Sequence, residues 1–245
     1  MTNKYIYFIA NWKMFGSLNT LNSLDKVIKF FNKFKKKKSV KVIYCPPNIL
    51  ISLMIKKLKN TQISVGAQNC HEKEGYGPFT GSVNSSMLKN IGAKYIILGH
   101  SENRQEGESN KRINLKIKSA LKSGLKVIFC IGETSKEKKR GITKLVLNEQ
   151  IEVGLKGILN KSKIIIAYEP VWAIGTGIYP KVNNLFETIR FIKKKAKKNK
   201  ILYGGSVNSK NINELKLINN IDGFLIGGAS QDSKKFIDII KKTYN

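Results

Sequence analysis

The chain carries one carboxylate in a setting suited to proton transfer. Glu169 closes the apolar run Ile164-Ile165-Ile166-Ala167-Tyr168 and opens the segment Pro170-Val171-Trp172-Ala173-Ile174-Gly175-Thr176-Gly177. A proline at one end, glycines at the other and an apolar middle are what a hinged flap needs. A carboxylate under such a flap suits a general base that works away from water. The same residues also read as a strand-end Glu followed by a surface turn.

Other apolar runs end in short polar tails of complementary chemistry. Asn11-Trp12-Lys13 follows the first run and Gly99-His100-Ser101-Glu102 another. If a short helix starts at Ser101, its positive end disfavours an imidazolium, and a neutral His100 would donate to a carbonyl; a hydrogen-bonded structural histidine is the alternative. Lys13 would offset negative charge growing on a substrate oxygen, or is simply solvated. Asn11 would position Lys13 or bind substrate. Two further runs end in Gly204-Gly205-Ser206 and Gly227-Gly228-Ala229-Ser230. Glycines let backbone N–H groups approach phosphate oxygens, and a following helix start favours an anion; two plain tight turns are the other reading. Cys130 reads as a packed small residue and His71 as a surface or interface one. A base, a neutral electrophile, a cation, a phosphate cradle and a lid fit proton transfer beside a carbonyl, through an enediolate, on a small phosphorylated sugar. Such chemistry calls for no metal and no cofactor.

Those tails must share one rim. Short apolar runs at 5–10, 40–45, 63–67, 95–98, 126–131, 164–168, 201–203 and 223–226 alternate with helical periodicity, as in Leu21, Leu24, Val27, Ile28 and Phe31. Eight strand–helix units with strands apolar on both faces predict an α/β chain with a parallel sheet. A closed (β/α)8 barrel accounts for the count; an open doubly wound sheet is the alternative. In a barrel the C-terminal strand ends form the active-site rim, and the loops after strands seven and eight commonly bind phosphate. No linker or composition shift divides the chain, so residues 1–245 are expected to form one domain.

Composition narrows the class. The 245 residues are 41% hydrophobic, enough for a core, and carry a net charge of +29. No apolar run approaches the length of a membrane span, and the first run is too short for a signal peptide; a cytoplasmic protein without a membrane partner is expected. Three scattered cysteines and two histidines, with no Cys-x-x-Cys, make a zinc site or disulfide framework a poor fit. Lysine clusters such as 35–38 and 193–198 lack interleaved aromatics and any zinc-finger or RNA-binding motif, so a solvated surface fits better than a nucleic-acid partner. A positive field would also draw in an anionic substrate.

Seven stretches carry a family resemblance: Asn11-Trp12-Lys13, Gly66-Ala67-Gln68-Asn69-Cys70, Gly99-His100-Ser101-Glu102, Cys130-Ile131-Gly132-Glu133, 168–177, Tyr203-Gly204-Gly205-Ser206-Val207 and Gly227-Gly228-Ala229-Ser230. In this order they resemble the triosephosphate isomerases. The resemblance implies interconversion of glyceraldehyde 3-phosphate and dihydroxyacetone phosphate. It implies Glu169 as base, His100 as neutral electrophile, and Lys13 and Asn11 as enediolate and substrate ligands. Gly175, Ser206, Gly227 and Gly228 would hold the phosphate, Tyr203 and Ser206 would latch the lid, and Glu133 would meet Trp172 in one lid state. It also implies a homodimer through the loop Gln68–Gly81, with Thr80 at its tip. The neighbours of the motifs depart from the usual pattern at Pro78, Ser82, Asn103 and Ile178, which bear on the interface and the lid. Two other functions fit parts of the sequence: another phosphate-binding barrel enzyme, and a basic nucleic-acid-binding protein on an inactive barrel.

Overall fold

A computed structural model describes residues 6–244. Eight parallel strands close into a barrel in sequence order. They are β1 (Ile6–Asn11), β2 (Val40–Cys45), β3 (Ser64–Ala67), β4 (Tyr95–Leu98), β5 (Lys126–Ile131), β6 (Ile164–Tyr168), β7 (Lys200–Tyr203) and β8 (Gly223–Ile226). The expected strands are all present, each end within a residue; Tyr5 lies outside the described residues. Closure comes from β8 pairing with β1, Tyr7 against Gly223 through Ala10 against Ile226.

Between the strands run α1 (Leu18–Asn22), α2 (Leu24–Lys33), α3 (Asn48–Leu58), α4 (Ser85–Asn90), α5 (Ser101–Gln105), α6 (Asn110–Lys122), α7 (Ser135–Lys139), α8 (Thr143–Gly154), α9 (Val182–Lys195), α10 (Ile212–Leu215) and α11 (Ser233–Tyr244). The apolar period from Leu21 to Phe31 belongs to two helices, because the Ser23 hydroxyl donates to the Thr20 carbonyl at 2.7 Å and competes with the helix ladder. α6 shows the simple case: Ser109 caps its first turn, and Ile113, Ile117 and Ala120 recur on its buried side.

The strands alternate between two cores. Phe8, Val42, Ile96, Val127 and Ile166 pack with the helices, whereas Ile9, Ile43, Ile97, Ile128 and Leu225 fill the barrel interior. Period two places the site as well. Asn11 continues the inward series of Ile9, and Glu169 that of Ile165 and Ala167. Asn11 and Glu169 are therefore the uppermost layer of the barrel filling, whereas His100 falls on the other phase of β4 and reaches the site through the turn into α5.

Ile128 is fully buried in that filling. Ile128→Ala should cost about 2–5 kcal/mol. At this chain length that lowers the thermal midpoint by roughly 5–15 °C, measurable by calorimetry. A midpoint unchanged within error would mean the interior does not support the barrel.

Candidate active site

Every residue singled out for binding or catalysis lines one cavity of about 230 Å³ at the C-terminal ends of the strands: Asn11, Lys13, His100, Glu169, Gly175, Ser206, Gly227 and Gly228. Glu169 is only 3% exposed and His100 only 4%.

Backbone fixes the carboxylate. The Glu169 N–H donates to the Ile131 carbonyl at 2.8 Å, and the Gly204 N–H donates to the Tyr168 carbonyl at 2.8 Å, so the sheet ladder continues past the strand end. Two glycines make the space. A Cβ on Gly132 would lie 1.8 Å from the Glu169 carbonyl oxygen, and one on Gly204 would lie 2.8 Å from Glu169 Cγ. The Gln150 side-chain amide holds Gly132 from both sides, accepting from its N–H at 2.8 Å and donating to its carbonyl at 3.0 Å. Oε1 of Glu169 lies 3.2 Å from His100 Nε2, and Oε2 is buried without a hydrogen-bond partner among the described residues. Cys130 packs beneath it. Burial first, then the Glu169 charge, pushes this thiol far above its ordinary range, so it is no nucleophile.

His100 is the N-cap of the short helix α5, and its Nδ1 accepts from the Glu102 N–H at 3.3 Å. An acceptor Nδ1 leaves the proton on Nε2, aimed at the carboxylate. Burial pulls the His100 pKa down, but the adjacent Glu169 charge and hydrogen bond outweigh it and the net direction is up. That rise depends on the carboxylate staying where it is. The cap on Nδ1 is the fixed feature and sets which nitrogen carries the proton of a neutral ring, while the upward pKa runs against the disfavoured imidazolium expected from the helix start.

Lys13 adopts a left-handed backbone, φ +56°, unusual for a residue with a side chain. Its conformation is held by neighbours: its N–H donates to Asn11 Oδ1 at 3.1 Å, and Gln68 Nε2 donates to its carbonyl at 2.8 Å. Nζ sits 2.5 Å from Glu102 Oε1. An ideal Cβ on Gly227 would lie 3.4 Å from Lys13 Cε, so the lysine stem crosses to the second glycine turn. That turn enters a 3₁₀ helix, Gly228–Gln231, whose leading residues Gly228 and Ala229 line the cavity with Ser206.

The flap begins with a 3₁₀ turn, Val171–Ala173, and leaves through Gly175 (φ +72°) and Gly177 (φ +75°). Trp172 Nε1 donates to Glu133 Oε1 at 2.9 Å, and the Tyr168 hydroxyl donates to both Glu133 oxygens at 3.1–3.2 Å. Burial drives the Glu133 pKa up despite these accepted bonds. Lys138 Nζ lies 3.0 Å from the Trp172 ring centroid. Here, then, the flap is tied to Glu133. The Tyr203 hydroxyl is buried and has no partner among the described residues.

Several supporting residues were not singled out from sequence. Arg104 staples the ends of β4 and β5, donating from Nε to the Gly99 carbonyl at 2.7 Å and from Nη2 to the Cys130 carbonyl at 3.1 Å. Gln150 was likewise not singled out, and Gln68 and Glu102 stood in quoted motifs without a role, because each acts on a partner far along the chain. Among the described residues no group of three or more His, Cys, Asp or Glu side chains is placed to hold a metal ion.

Comparison with known proteins gives the same answer as the geometry. The family model described as triosephosphate isomerase matches residues 6–243. The chain belongs to the triosephosphate isomerase family. It is 42% identical to the triosephosphate isomerase of Dictyoglomus thermophilum, covering 95% of this chain and 97% of that one. It is 43% identical to the enzyme of Carboxydothermus hydrogenoformans, over 96% and 97% of the two chains. The crystal structure of triosephosphate isomerase from Bartonella henselae superposes with a TM-score of 0.88 at 33% identity, covering 98% of this chain and 99% of that one.

The orphaned Tyr203 hydroxyl makes a testable case for this member of the family. Tyr203→Phe breaks no hydrogen bond among the described residues, so it tests the expectation that the hydroxyl latches the closed flap. Turnover on triose phosphate should fall by about 10-fold, the worth of one hydrogen bond, with no loss of thermal stability. Unchanged turnover would mean the hydroxyl plays no part in closure.

Proposed function

We propose that the chain interconverts D-glyceraldehyde 3-phosphate and dihydroxyacetone phosphate by proton transfer through an enediolate. The observation that carries this reading is the juxtaposition of Glu169 and His100 Nε2 at 3.2 Å in a cavity floored by two glycine turns. Glu169 takes a proton from the carbon beside the carbonyl. His100 donates from Nε2 to the carbonyl oxygen, and Lys13 offsets the charge that grows there. His100 takes a proton back from the adjacent hydroxyl, which becomes the new carbonyl, as Glu169 returns its proton to the former carbonyl carbon. Ser206, Gly227, Gly228 and, on closure, Gly175 bind the phosphate, and Asn11 holds the Lys13 backbone. The flap keeps water from the intermediate. This handling of a glutamate base beside a neutral histidine is an established pattern for the family. We read the 245 residues as one domain.

The family reading also extends to a homodimer. Tyr76 (86% exposed) and Met14 (100%) stand out in water, and Phe79 stacks on His71 at a centroid distance of 4.4 Å. A second cavity of about 340 Å³ opens behind Lys13 and His100, bounded by Met14, Gln68 and Glu102. The loop Gln68–Gly81 of a second copy, led by Thr80, fits that opening and would bury apolar surface otherwise left exposed. No helix among the described residues is long and apolar enough to cross a membrane, in keeping with the cytoplasmic placement we infer.

The test is isomerisation of glyceraldehyde 3-phosphate coupled to a reductase that accepts only dihydroxyacetone phosphate. Wild-type protein should turn over, and Glu169→Asp, which withdraws the base by one methylene, should lose on the order of 100-fold. A folded wild-type protein without turnover rejects the reaction, and a near-wild-type Asp variant rejects the base.

A further inference from the structure

The excess charge is not spread over the molecule. Seven segments carry the chain from a helix end into the next strand, at 34–41, 59–64, 91–95, 123–126, 155–164, 196–200 and 216–223, and together they form the N-terminal face of the barrel. They contain fifteen lysines, no arginine and one carboxylate, Asp222, which lies 3.2 Å from Lys200. The segments at the opposite end, 12–17, 46–47, 68–84, 99–109, 132–142, 169–181, 204–211 and 227–232, contain nine basic and nine acidic residues. A lysine-rich composition alone would raise both faces. Helix C-termini favour lysines in their last turn, but these residues lie beyond the α-helices. The field also does not serve the active site, which opens on the balanced face, a barrel length away against a screening distance of about 8 Å. Substrate steering, expected from net charge alone, is therefore not its use.

What the basic face presents besides lysine selects among polyanions. Exposed aliphatic side chains stand at three of its segments: Leu159 (99% exposed), Leu217 (74%) and Ile91 (43%). The aromatic side chains of these segments, Phe34 and Tyr95, are half-buried and buried, so bases have little to stack on, and arginine, the usual reader of nucleic acid, is absent. Lysines around protruding aliphatics match an anionic lipid surface instead: ammonium groups sit among headgroups while the aliphatics enter the acyl boundary.

We propose that the N-terminal face of the barrel, with Leu159 and Leu217 at its tips and lysines such as Lys161, Lys197 and Lys198 around them, docks the protein on anionic lipid bilayers. This revises the expectation of no membrane partner, which rested on the lack of a spanning segment; peripheral docking needs none. The active-site rim points away from the bilayer and stays open to substrate.

Co-sedimentation with unilamellar vesicles tests it, using the full chain. The protein should partition onto phosphatidylserine-containing vesicles and not onto pure phosphatidylcholine, and high salt should release it. Lys197→Glu with Lys198→Glu should weaken partitioning on the order of 10-fold or more. Leu159→Asn with Leu217→Asn should weaken it several-fold while leaving its salt dependence unchanged. The matched reversal Lys136→Glu with Lys210→Glu, on the other face, should change it little, and isomerase turnover and thermal midpoint should hold in the first two double variants. No partitioning, equal partitioning onto neutral vesicles, or indifference to the Lys197 and Lys198 reversal would overturn the proposal. So would single-stranded RNA that binds more tightly than vesicles and ignores the two leucines.

Discussion

The structure depends on keeping a carboxylate charged and movable where only 3% of it meets solvent. Burying an ion is costly unless its surroundings compensate. At Glu169 the compensation is a single donor, His100 Nε2, with the second oxygen left unmatched among the described residues. A fully satisfied carboxylate would be a poor base. The backbone is pinned by continued sheet ladder and by two glycines that admit no side chain, so mobility is confined to the carboxylate arm. Rigid support with one unsatisfied acceptor is what a proton-abstracting group requires.

The lid follows from the same constraint. It must leave for substrate to enter and return for water to be excluded, so its two positions need comparable stability. One position is visible in full. Glu133 receives Trp172 and Tyr168, and Lys138 caps the indole face. The Tyr203 hydroxyl, buried without a partner among the described residues and lying against Gly205, is the anchor proposed for the other. Glu133 stands two residues beyond β5, and Tyr203 at the end of β7.

Much of this was legible in the sequence, and what was not has physical reasons. The eight strands read clearly because strands buried on both faces are continuous apolar runs. Glu169, His100 and the glycine turns were found because each follows such a run, and strand ends in a barrel converge. The break at Ser23 was hidden by an apolar period that passes through it. The left-handed backbone of Lys13 carries no local signal, since the groups that hold it, Gln68 among them, come from elsewhere in the chain. Arg104 was given no role from the sequence and is a staple between two strand ends. The lysine clusters were plain, but only the topology shows that seven connecting segments share one face.

The most direct test of the account is a crystal structure with a planar phosphorylated hydroxamate that mimics the enediolate. The account predicts that the Glu169 carboxylate turns from His100 onto the mimic, that the phosphate lies on Ser206, Gly227 and Gly228 under Gly175, and that Trp172 has left Glu133. A bound mimic with Trp172 still on Glu133 and Glu169 still on His100 would contradict it.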